Sequence, residues 1–109
     1  MKVRFSDGAI RVRVARGQFD DLRAGSVLRV GLPLTPRGCA VTVRCAESFS
    51  ADSTADGLAI AFPAEDMDAL AGRLPARDGP AWTAQLGGRD VEVSLEVDVR
   101  SRPAPAPPR

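Results

Sequence analysis

The sequence predicts an α+β fold: six or seven mainly antiparallel β-strands with two short helices, built from two similar strand–helix–strand–strand units after a leading strand. Three observations carry that expectation. Apolar and polar residues alternate through "KVRF", "IRVRV" and "VEVSLEVDV", the period of half-buried strands. Two stretches switch to helical spacing, Phe19 with Leu22 and Met67 with Leu70 and Leu74. Finally, Val12, Val14, Phe19 and Leu22 recur 48 residues later as Ile60, Phe62, Met67 and Leu70, and an Asp-Gly precedes each series. This is a weak internal repeat.

Taken in order, Val3 and Phe5 alternate with Lys2 and Arg4. Asp7-Gly8 then makes a two-residue hairpin turn, because both residue types tolerate positive φ. That loop sets Phe5 opposite Ile10, Arg4 opposite Arg11, Val3 opposite Val12 and Lys2 opposite Arg13. Apolar then meets apolar, as a half-buried hairpin requires. A short helix follows over residues 17–24, closed by Gly25. "SVLRVGLPL" and "CAVTVRC" form a second hairpin around "TPRG", pairing Leu34 with Cys39, Leu32 with Val41 and Val30 with Val43. "AESFSADSTADG" is rich in turn residues and leads into the strand "LAIAF". The next helix has Pro63 at its first position and Glu65 and Asp66 in its first turn, where acids favour the positive end of the dipole. "AWTAQL" and "VEVSLEVDV" make a third hairpin across Gly87-Gly88, with Val91, Val93, Leu95, Val97 and Val99 inward and Glu92, Glu96 and Asp98 outward. Residues 1–100 are expected as a single domain. Residues 101–109, with four prolines in nine residues, are expected as an extended, disordered Pro/Ala-rich tail.

The opening "MKVRF-SDGAIRVRV-ARGQFDDLRAG" resembles a small uncharacterised bacterial family. Its members begin MKIRI, a Gly turn, an IRLRL strand and a short helix with a hydrophobic-x-x-Leu step. The likeness covers about the first 25 residues, and Ala15-Arg16 stands where the family has a Ser or Thr cap. The resemblance implies a fold and no chemistry.

Composition narrows the function. The chain has 109 residues, no His and no Tyr, and two Cys. Without His the usual general base near neutral pH and the commonest metal ligand are missing, as are Ser-His and Cys-His nucleophile pairs. No phosphate loop of the GxxxxGK[ST] or GxGxxG type is present. The expectation is therefore a non-enzymatic domain without metal or cofactor. No apolar run reaches the roughly 18 residues of a membrane span and the start lacks a secretory h-region, so a cytoplasmic location without membrane association is expected. Richness in Arg and Ala points to a GC-rich bacterial genome.

Three constellations have a simpler reading than a chemical one. Cys39 and Cys45 lie in the apolar row with Val41 and Val43, about 20 Å apart on one strand, too far for a disulfide. "DSTADG" echoes the start of a calcium loop, but its twelfth position is Pro63 where a bidentate Glu is required. Trp82 sits in a row with Ala84 and Leu86 and is assigned to the core.

Charge is what remains. Residues 1–50 carry nine basic and four acidic groups, and residues 51–109 carry six and ten, so the halves are +5 and −4. The basic residues Lys2, Arg4, Arg11 and Arg13 gather on the polar face of the first hairpin, where like charges oppose one another at a cost. The C-terminal strand is expected beside that hairpin in the same sheet, with Glu92, Glu96 and Asp98 interleaved among Arg4, Arg11 and Arg13. Arg16 falls outside this pattern and is expected to be solvated. The leading functional expectation is protein–protein contact, with an unknown partner or as a homodimer. The alternative is anion or nucleic-acid binding by Lys2, Arg4, Arg11 and Arg13. Nucleic acid is disfavoured because four of the five aromatic residues fall on core positions rather than on a stacking surface.

Overall fold

The computed structural model describes residues 1–32, 38–76 and 79–98. The order is β1 (Lys2–Ser6), β2 (Ala9–Val14), α1 (Arg16–Arg23), β3 (Leu28–Leu32) and β4 (Cys39–Ala46), then β5 (Ser50–Thr54), β6 (Gly57–Pro63), α2 (Ala64–Ala71), β7 (Ala81–Leu86) and β8 (Arg89–Val97). The fold is α+β, with two helices and eight strands among the described residues. The expected tail at 101–109, and Val99, lie outside them.

The strands form two four-stranded sheets, β1-β2-β8-β7 and β3-β4-β6-β5. In each sheet the outer pairs are antiparallel hairpins and the central pair is parallel, β2 with β8 and β4 with β6. Six or seven mainly antiparallel strands is thus corrected to eight in two mixed sheets. The extra strand is β5, "SADST", which reads as turn because it is polar. As an edge strand it is largely exposed, so no apolar pattern is demanded of it. Each half of the chain runs strand–strand–helix–strand–strand; the leading strand was expected in the first half, and β5 is the one added in the second.

The first hairpin has the expected register, from Lys2 opposite Arg13 to Phe5 opposite Ile10. Gly8 takes a φ of 78°, whereas no residue other than glycine has positive φ among the described residues, so Asp7 does not share the left-handed conformation. The third hairpin turns on two left-handed glycines, Gly87 at 60° and Gly88 at 75°, as a type I′ turn requires. The second hairpin departs from expectation: Leu32 faces Cys39, Val30 faces Val41 and Leu28 faces Val43. The slip is two residues. A shift of two keeps every side chain on its face, so apolar matching alone does not detect it.

α1 begins one residue earlier than expected, and Ala15 caps it. The Ala15 N–H donates to Gln18 Oε1 at 2.9 Å, the half of a capping box that needs no hydroxyl at the cap position. At its other end the Gly25 N–H donates to the Leu22 carbonyl and the Ser26 N–H to the Asp21 carbonyl, a Schellman closure that requires the left-handed Gly25 at φ 102°. Pro63 is the N-cap of α2 rather than its first residue. The two helices pack on β4, on β6 and on each other. One apolar cluster joins both sheets and both helices, including Val12, Phe19, Val43, Phe62, Met67 and Leu95. No helix is long and apolar enough to cross a membrane among the described residues.

Candidate functional site

β8 lies directly beside the first hairpin, parallel to β2. This was the expected neighbour. The register then decides which arginine meets a carboxylate. Across β1, β2 and β8 one row reads Lys2, Arg13, Glu96 and the next reads Arg4, Arg11, Ser94. Arg13 Nη2 pairs with Asp98 Oδ1 at 3.4 Å. Arg4 and Arg11 face each other with Ser94, not an acid, on the far side, and among the described residues neither has a carboxylate within 4 Å. The interleaving expected for Arg4, Arg11 and Arg13 is therefore corrected to Arg13 alone. The cause is one position: Glu92, Ser94 and Glu96 share a face of β8, and Ser94 is the one opposite Arg11, with Glu92 opposite Ala9 and Glu96 opposite Arg13 in the rows to either side. Arg16, expected to be solvated, instead sits 3.7 Å from Asp20 one helical turn on.

Beside this basic face is a groove of about 650 Å³. Lys2, Arg4, Arg11 and Arg13 line it together with Glu96, so the structure brings all four sequence-selected cations into one site. Its apolar lining is Met1, Val3, Phe5 and, from the other sheet, Val30. Phe5 is 53% exposed. From sequence alone Val30 reads only as a core-facing strand residue, because nothing local marks a position where two sheets face each other. β1 is an edge strand, paired to β2 on one side only.

The corresponding place in the second half is filled. Phe49 precedes β5 as Met1 precedes β1, and Trp82 faces Val93 as Val30 faces Val41. The Trp82 ring stacks on Phe49 at 5.2 Å and meets Phe62 at 5.0 Å. Its Nε1–H donates to Asp66 Oδ2 at 3.0 Å, which gives that acid a tertiary role beyond the helix dipole. β5 and β7 approach closely there, and β1 and β3 do not.

The cysteines are free and only partly buried, less enclosed than Val41 and Val43 of the same row. Burial pushes the Cys45 thiol above its ordinary pKa; the Asp68 carboxylate adds to the rise and the Arg23 guanidinium opposes it. Arg23 reaches Asp68 across the two helices at 3.0 Å. Asp56, from the calcium-like motif, ends the turn into β6, and its carbonyl accepts from the Ala40 N–H at 2.9 Å.

No family model, no curated protein and no solved structure matches the chain.

Proposed function

We propose that this chain is a non-enzymatic binding module whose working surface is the β1 edge with its basic groove, and that the surface takes another protein. One observation supports the reading best: Arg4 and Arg11 are held face to face beside an open edge strand, with no acid in their row. An arrangement that costs stability and adjoins unpaired backbone fits a surface that is completed by a partner. Self-association through β1 would oppose Lys2 and Arg4 of two copies, so the partner is a different, acidic protein and the chain is a monomer on its own. The two halves are proposed to be copies of one strand–strand–helix–strand–strand unit, of which one has kept its seam open. A cytoplasmic location belongs to the same proposal.

A second reading, binding of nucleic acid or another polyanion, draws on the same four cations. It is disfavoured because Phe5 is the single aromatic ring in the groove, whereas single-strand binders stack several bases. Affinity capture with the wild type and with an Arg4→Glu/Arg11→Glu variant tests the primary reading, alongside anisotropy against oligonucleotides at several salt concentrations. Proteins retained by the wild type and lost by the variant support it. Capture indifferent to the substitutions, or tight oligonucleotide binding, overturns it.

A further inference from the structure

The two sheets of this molecule obey one numbering rule. β1, β2 and α1 correspond to β5, β6 and α2 at an offset of 48, and the hairpin β3–β4 corresponds to β7–β8 at an offset of 52. Backbone hydrogen bonds follow the same rule. The Ala40 N–H donates to the Asp56 carbonyl, and its counterpart, the Glu92 N–H, donates to the Gly8 carbonyl, both at 2.9 Å. The correspondence lets one seam serve as an internal control for the other. At the β5/β7 seam the positions hold Phe49, Phe62 and Trp82 in mutual contact. At the β1/β3 seam they hold Met1, Val14 and Val30, and a groove of about 650 Å³ runs there. Three rings at one seam stand against three smaller side chains at the other, and there the space is not closed by strand approach.

Resting on the reading of this surface as a protein-binding one, we propose that the ligand is an extended acidic segment of a partner protein, added as a fifth strand alongside β1. Its residues alternate. Every second side chain is Asp or Glu, facing Lys2 and Arg4 on the polar face of the sheet. The intervening side chains are large and apolar and enter the seam against Val3 and Val30, in the volume that Trp82 occupies in the other half. The backbone chemistry follows from the edge. A strand paired on one side offers its other row of N–H and C=O groups to an incoming strand, and alternate pockets then supply specificity. The charge pattern selects the sign, since Lys2, Arg4 and Arg11 outnumber Glu96 along the lining.

The test uses the full chain and fluorescein-labelled peptides of about seven residues, a length matched to one strand. One peptide alternates glutamate with valine and carries a central tryptophan. A second replaces glutamate by lysine, and a third carries N-methyl groups on alternate amides. The glutamate peptide is expected to bind, and the lysine and N-methylated peptides at least about tenfold more weakly. Val30→Trp should fill the seam as Trp82 does and weaken binding at least about tenfold with an unchanged circular dichroism spectrum. Arg4→Glu should largely remove the preference for the glutamate peptide over the lysine peptide. If Val30→Trp fails to fold, Val30→Phe and peptide-induced protection of β1 amides from hydrogen exchange carry the same decision. Equal binding of the N-methylated peptide, or affinity untouched by filling the seam, overturns the added strand. Failure of every peptide while charge-dependent capture persists overturns the strand ligand and leaves the protein-binding surface standing. A thymidine oligonucleotide that outcompetes the glutamate peptide overturns both.

Discussion

Two residues carry environments that make measurable predictions. The Cys45 thiol holds its proton to higher pH in the folded chain because burial and Asp68 both disfavour the thiolate. An unfolded thiol has a pKa of about 8.5. The stabilising contribution of the protonated form is therefore fully present below about pH 8.5 and is lost as pH rises through the higher folded value. Iodoacetamide labelling of Cys45 against pH should show a later midpoint in the native chain than in urea. Asp68→Asn should move it earlier and Arg23→Gln later; a native midpoint earlier than the unfolded one refutes the assignment. Gly57 is the second case. It adopts φ 135°, and a Cβ there would stand 2.0 Å from the Ala40 carbonyl oxygen, in the parallel β4–β6 pair. Gly57→Ala should cost about 2 kcal/mol or more by urea denaturation. Gly8, with φ 78° and open space around it, should cost less on the same substitution. The hairpin turn Asp7-Gly8 is legible in the sequence; the clash at Gly57 is not, because it depends on a strand 17 positions away.

At the scale of elements, hairpins are legible wherever a two-residue turn fixes the register, as at Asp7-Gly8 and Gly87-Gly88. The register of β3 on β4 is not, since their connection is six residues long and a two-residue slip preserves the apolar pattern. The helices are visible from Phe19, Leu22, Met67 and Leu70, all of which are buried. The basic site is half legible. Its four cations follow from strand alternation, whereas Val30 and the gap between sheets do not. The Arg4–Arg11 pairing yields a prediction of unusual sign: Arg4→Glu should stabilise the fold by about 0.5 kcal/mol by removing a like-charge cross-strand pair and creating an opposite one. Arg13 and Asp98 are 48% and 33% exposed, so Arg13→Ala should shift stability by no more than about 1 kcal/mol. Thermal melts of both variants decide this, and destabilisation by Arg4→Glu would contradict it. On the other seam, Trp82 links β7 to α2 through Asp66. Asp66→Ala should leave a partly buried indole N–H without its acceptor, cost about 1 kcal/mol and change the emission of the single tryptophan.

For the whole molecule, the decisive fact is that each sheet takes one hairpin from each half of the chain. Neither half can then satisfy its central strand alone, because β2 needs β8 and β4 needs β6. Two polypeptides covering residues 1–47 and 48–109 should each lack cooperative unfolding, and their mixture should regain the native circular dichroism spectrum. A half that folds as a stable monomer would disprove this. The parallel central pairs were not legible in the sequence: both partners read as amphipathic strands, and such a pattern is silent about which distant strand lies alongside.

That shared construction also sets an order of events on the ribosome. One sheet is continuous in the chain, from Leu28 to Pro63, and all its strands have emerged before the second helix is complete. The other waits for β8, the last strand made, before β2 acquires its second neighbour. Through most of synthesis the first hairpin is thus a nascent two-stranded ribbon with both edges bare, the kind of intermediate that joins to its like on neighbouring chains. Two such ribbons meeting through β1 would bring together Lys2 and Arg4 of each. The residues proposed to recognise a partner would then also act as gatekeepers during translation, so an Arg4→Glu chain, steadier once folded, should leave more of its product in inclusion bodies.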